Sequence, residues 1–276
     1  MSRNMLTVPK ELPSGPEACS LLGVEYLRLR TQDGGEIYLT SFGIPFNELL
    51  APQNWHEPAW FHEKRVRLNG TSAIYRVPTK RVRGISLDLV VRHSRVGQEV
   101  PLDPRLFGEN PHAEFNSPFE EFAILLQLRA AHSWPDHPRI FTKKPLAIYV
   151  PALEFQDWQI GRSESRMAAK ASRHPEARLD MRRDYLMVYG WIDGLNAVQA
   201  AQAAGFSAVA ARQFLESTTL RVIDDLKRLK FRMLDMKPEH IVLRMRRDGS
   251  LLRRGNGSLA YALVDYELLE PLPGHG

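Results

Sequence analysis

The sequence predicts an α+β fold, on three observations. Short strand-like runs, alternating or β-branched, fill the first two-thirds of the chain around one well-capped helix. A connector over residues 191–194 then leads into two helical segments. A stretch rich in turn residues follows, placed to make a hairpin. This order, strands first and mainly helices afterwards, suggests two lobes with a cleft between them.

The elements follow in order. Residues 1–20 are rich in Pro, Gly and Ser and read as a flexible N-terminus. Strand patches lie at 24–29 and 36–39, and Asp33-Gly34-Gly35 supplies the turn between them. Residues 45–50 are expected to be a short helix. Trp55, Trp60 and Phe61 are expected in a loop that anchors the 21–64 extension on the next lobe. Three further strands are expected at 66–68, 73–77 and 87–92, the last marked as buried by Val90-Val91. Ser117 opens a helix with Pro118 at its first position and Glu120 three residues after the cap, a capping box. Residues 145–150 form another strand. Residues 155–181 are polar, weakly patterned and read as an insertion. The strand at 185–192 runs into the Asp193-Gly194 turn. An Ala-rich helix over 195–204 stops at Gly205, and a longer helix over 208–228 carries Phe214, Leu215, Ile223 and Leu226 at helical spacing. The lobes implied are 65–190 and 191–276.

Composition narrows the function. The chain has 276 residues, 43% hydrophobic and 25% charged, so it can bury a core as one large domain or two small lobes. Cys19 is the only cysteine, which rules out an intrachain disulfide and fits a reducing, cytoplasmic setting. No signal-peptide core and no run of roughly eighteen apolar residues is present, so no membrane partner is expected. The net charge of +5 is clustered at 80–83, 182–183 and 244–254. A solvated basic surface is the plain reading; phosphates, an acidic protein partner or nucleic acid are the others. No zinc-finger spacing or helix-turn-helix signal carries a nucleic-acid claim.

The most specific stretch is Asp235-Met236-Lys237-Pro238-Glu239-His240, followed by a strand-like run ending Val264-Asp265-Tyr266-Glu267. Taken singly, the first is a polar loop and the second an ordinary strand end. Together, after a long helix and around a hairpin, they resemble the protein-kinase-like superfamily over about residues 65–267. The resemblance implies a two-lobed fold with an antiparallel-sheet N-lobe and a reduced, mainly helical C-lobe. It implies ATP with Mg2+ or Mn2+ in the cleft. Asp235 would orient or deprotonate the attacking hydroxyl, and Lys237 would neutralise the transferring phosphoryl group. Asp265 and His240 would be metal ligands, His240 standing where the family usually has Asn. Arg92 takes the place of the ATP-contacting Lys, and Glu121, on the following helix, is its partner. Gly70, Thr71 and Ser72 stand where a glycine-rich loop would cradle phosphates, and Trp191 lies in the hinge that would meet adenine. Without the resemblance, 68–75 is a plain hairpin, Glu121 a solvated helix carboxylate and Trp191 a strand exit.

Three departures qualify the likeness. Arg92 keeps the charge of a Lys but not its compact ammonium. Glu267 replaces the Gly of the family's Asp-Phe-Gly. Only residues 268–276 follow it, which implies that the peptide-positioning platform of protein kinases is missing. The expected function is therefore an ATP-dependent phosphotransferase acting on a protein hydroxyl or small molecule. The alternative is a degenerate pseudokinase that binds nucleotide or a protein partner.

Overall fold

The computed structural model describes residues 15–68, 72–101, 113–131, 137–155 and 161–272. In chain order the strands and helices are β1 (Glu17–Leu21), β2 (Val24–Arg30), β3 (Glu36–Leu39), α1 (Asn47–Leu50), α2 (Pro58–Lys64), β4 (Val66–Arg67), β5 (Ile74–Pro78) and β6 (Asp88–His93). Next come α3 (Pro118–Ala131), β7 (Phe141–Thr142), β8 (Pro145–Val150), α4 (Glu164–Arg173), β9 (Leu186–Gly190), β10 (Leu195–Asn196), α5 (Ala197–Ala203) and α6 (Ala208–Arg228). The chain closes with β11 (Phe231–Met233), β12 (Ile241–Leu243), β13 (Tyr261–Leu263) and β14 (Leu269–Pro271). The α+β class expected from the sequence is the class found.

Eight strands form one antiparallel sheet in the order β1-β2-β3-β8-β9-β6-β5-β4. A smaller sheet runs β10-β12-β13-β7, with β7 parallel to β13, and β11 pairs with β14. Strand side chains alternate between faces, and the core divides accordingly. Val90, Ile148, Met187 and Tyr189 face α3 and pack with Phe122, Leu125, Val222 and Leu226 of the helices and Ile241 and Leu263 of the hairpin. Leu89, Val91, Tyr149, Leu186 and Val188 face the other way, onto Trp55 and Phe61. Each central strand is thus buried on both faces.

Three segments differ from expectation. Glu17–Leu21 is strand β1, although residues 17–20 were expected in a flexible terminus; it pairs with β2 and Glu17 bonds Arg28 at 3.2 Å. Trp60 and Phe61 lie in α2 rather than in a loop, because Glu57 caps the helix, accepting from the N–H groups of Ala59 and Trp60 at 3.0 Å each. Within 155–181, α4 buries Met167 and Lys170 one turn apart, so part of the supposed insertion is core-facing helix. Among the described residues no helix is long and apolar enough to cross a membrane.

Candidate active site

Arg92 sits on β6, paired on both sides by neighbouring strands, and strand alternation points it at α3. The reciprocal capping box expected at the start of α3 is formed: Glu120 N–H donates to Ser117 Oγ at 3.2 Å, and Ser117 N–H to Glu120 Oε2 at 2.7 Å. That fixes the first turn and aims the next residue, Glu121, at Arg92. Arg92 Nη2 donates to Glu121, whose other oxygen accepts from Tyr189 Oη. Arg92 Nη1 donates to Glu267 at 2.5 Å and lies 3.8 Å from Asp265. Arg95 holds the far oxygen of Glu267 at 3.3 Å. The Arg92 side chain is only 5% exposed, so its charge is spent inside the protein. Burial works against the cation, but Glu121 and Glu267 outweigh it and keep it charged. Several carboxylates share this one guanidinium. Burial therefore pushes Glu121 up against the pull of Arg92, and carries Glu267 up to about 7.

The second group is built by the chain after α6. β11 leads into the loop holding Asp235 and Lys237, and a 3-10 turn over Pro238–His240 follows. The β12–β13 hairpin then returns the chain, and Val264 N–H donates to His240 O at 3.1 Å. That bond sets Asp265 across from His240. One atom each from Asp235, His240 and Asp265 lie within 4.8 Å of one another. His240 Nε2 is 3.6 Å from Asp265 Oδ2, and Lys237 Nζ is 3.7 Å from Asp235 Oδ2. Burial and the neighbouring Asp265 push Asp235 up. Asp265 is held below the usual carboxylate range, because Arg92, His240 and Lys143 outweigh its burial.

These three residues fit a divalent cation. Opposed oxygens around Mg2+ lie about 4.2 Å apart, twice a bond of about 2.1 Å, so small side-chain movements close the set. His240 Nε2 is the nitrogen that faces Asp265, and Nδ1, on the other side of the ring, is buried without a hydrogen-bond partner. The imidazole is a softer ligand than Mg2+ prefers, so two carboxylates with one imidazole favour Mn2+ over Mg2+.

The site residues expected from the sequence thus separate. Arg92, Glu121, Asp235, Lys237, His240 and Asp265 come together. Ser72 is buried near Arg67, and Gly70 and Thr71 lie outside the described residues. Trp191 ends the strand region with its N–H given to Asp88 O at 3.0 Å and Arg76 stacked 4.5 Å over its ring. Close by, Gly194 has φ +154°, and a Cβ there would come within 2.6 Å of Leu243 O, so only glycine lets the connector pass so near β12.

Two participants were not anticipated. Glu267, noted in the sequence as a replacement for Gly, bonds Arg92 and Arg95. Lys143, between β7 and β8, is buried and donates to Val264 O at 2.7 Å; burial pulls its ammonium down to about 8, against the attraction of Asp265. Its sequence signal is slight, two lysines before a proline-led strand. Comparison with known proteins finds no matching family model and no matching curated protein.

Proposed function

We propose that this protein is an ATP-dependent phosphotransferase of two-lobed, protein-kinase-like type, acting on a hydroxyl of a protein or a small molecule. One observation carries the reading: Asp235, His240 and Asp265 converge within 4.8 Å, beside a buried Arg92–Glu121 pair. Those residues come from four separate places in the chain, and the resemblance names each of them. In the reaction the acceptor oxygen attacks the γ-phosphorus, the bond to the ADP oxygen breaks, and the acceptor proton passes to Asp235. The raised affinity of Asp235 for a proton suits that role. Lys237, half-exposed at the edge of the site, is placed to meet phosphate charge. Asp265 and His240 would hold Mg2+ or Mn2+, which would screen the charge of the phosphates, with Asp235 beside them free to take the proton.

The test is transfer from γ-labelled ATP to the protein itself or to an extract, with Mg2+ or Mn2+. Wild type should label, and Asp235→Asn should lose labelling by orders of magnitude while its unfolding curve is kept. Equal labelling by the variant would overturn the role of Asp235. One observation favours the pseudokinase alternative: Glu121 and Glu267 together occupy the Arg92 guanidinium that would otherwise contact ATP. Saturable ATP binding without any transfer would support it.

A further inference from the structure

His93 follows Arg92 on β6 and points to the opposite face of the sheet, where it lines a cavity of about 680 Å³. The cavity lies between the sheet, the β2–β3 turn and the start of α2, and it takes no part in the phosphotransferase reading. Its size is that of a small-molecule site. The walls are largely apolar, with Tyr149, Leu153, Phe155 and Leu186 among them.

Its polar lining combines the carboxylates Asp33, Glu57 and Asp184 with the amides Gln32 and Gln53 and the imidazoles His56 and His93. His93 Nδ1 lies 2.6 Å from Asp184 Oδ2, and the other Asp184 oxygen accepts from Tyr185 N–H at 2.8 Å. Asp33 accepts from Tyr149 Oη and from Thr31 Oγ1. Both carboxylates are held below the usual range, because these hydrogen bonds outweigh their burial. His56 packs 5.4 Å from Tyr149, and burial lowers its affinity for a proton, so it stays neutral. Glu57 caps α2 and has Lys80 at 3.7 Å. Among the described residues no Lys or Arg lines the cavity, in a chain with 37 of them. Behind the wall, Arg183 donates to Pro151 O at 2.8 Å and Arg162 to Arg183 O at 2.6 Å, and the Arg162 charge helps hold Asp184 ionised.

We propose that this cavity binds a small organic cation, an arylalkylammonium whose ring lies on the Tyr149–Leu186 wall and whose ammonium meets Asp33 and Asp184. Two carboxylates set in aromatic and aliphatic walls recognise a cation with an apolar body, and they repel an acid of the same shape.

The experiment is calorimetric titration of the full chain with 2-phenylethylamine and, separately, with phenylacetate. The amine should bind saturably, and phenylacetate at least about tenfold more weakly. Asp184→Asn keeps a hydrogen-bond partner for His93 but removes the charge, and should weaken the amine about tenfold. Leu153 is an exposed wall residue, so Leu153→Arg leaves the core intact, sets a like charge beside the ammonium and should weaken the amine too, even if Asp184→Asn fails to fold. Asp235→Asn should bind the amine as wild type does, which separates this site from the phosphotransferase one. No saturable amine binding at millimolar concentration, equal binding of phenylacetate, or unchanged amine binding in Leu153→Arg would each overturn the proposal.

Discussion

Arg92 and His93 are neighbours in sequence and opposites in circumstance. On one face of β6, the Arg92 guanidinium is closed in by Glu121, Glu267 and Asp265, with Nη1 and Nη2 each bonded to a carboxylate. On the other, the His93–Asp184 pair looks into open space beside apolar walls. Both are acid–base contacts at a sheet surface, yet burial makes the first a structural commitment, whereas the second borders a cavity. A buried ion pair is expensive to break and gives little net stability when whole. A pair at a cavity wall keeps a hydrogen-bonding atom in reserve.

The largest expected effect probes the closed face. Arg92→Ala leaves Glu121 and Glu267 buried without their cation, and should lower unfolding free energy by about 3–5 kcal/mol in urea denaturation at neutral pH. A loss under about 1 kcal/mol would mean that water reaches these carboxylates, and the contrast with His93 would fail.

Next in size is Glu267→Gln. Removing its charge releases Arg92 Nη1 toward a phosphate oxygen, so ATP affinity with Mg2+ should rise about tenfold, near the worth of one charge-assisted hydrogen bond. Unchanged affinity would show that Arg92 does not reach nucleotide and would strengthen the pseudokinase reading.

Two smaller changes act on the cap that aims Glu121. Ser117→Ala should destabilise by about 1 kcal/mol, the usual worth of such a cap, read as a lower urea midpoint. Glu120, beside it, is held below the usual carboxylate range: its burial is outweighed by Lys170 at 2.8 Å and by Ser117. A lowered carboxylate contributes stability above its unfolded value of about 4.3, and that contribution is lost as pH falls through the folded value. Stability measured from pH 7 down to pH 3 should therefore drop more steeply in wild type than in Glu120→Gln. Parallel curves would show that the Lys170 contact contributes nothing.

The smallest structural effect belongs to Lys237→Ala. Its ammonium is half-exposed and 3.7 Å from Asp235, so unfolding free energy should change by less than about 0.5 kcal/mol. Labelling from ATP should fall far more than that. A fall in both together would make Lys237 a structural residue.

Much was legible in the residues alone, and it was the part governed by local rules. The capping box at Ser117 and Glu120, the Asp33-Gly34-Gly35 turn and the helix Ala208–Arg228 all form, because caps, turns and periodicity act over a few residues. The meeting of Asp235, His240 and Asp265 was implied by the resemblance rather than by local pattern, and one loop and one hairpin bring them within 4.8 Å. What tertiary structure alone decided were the partners of charges. Whether Arg92 faces phosphate or carboxylate depends on where Glu267 lands, far along the chain, and no local pattern encodes that distance. Lys143 is buried because β7 runs beside β13, and His93 meets Asp184 because β6 pairs with β9. Local preference selects a conformation over a few residues, whereas an ion pair inside a protein needs two distant segments and the exclusion of water between them.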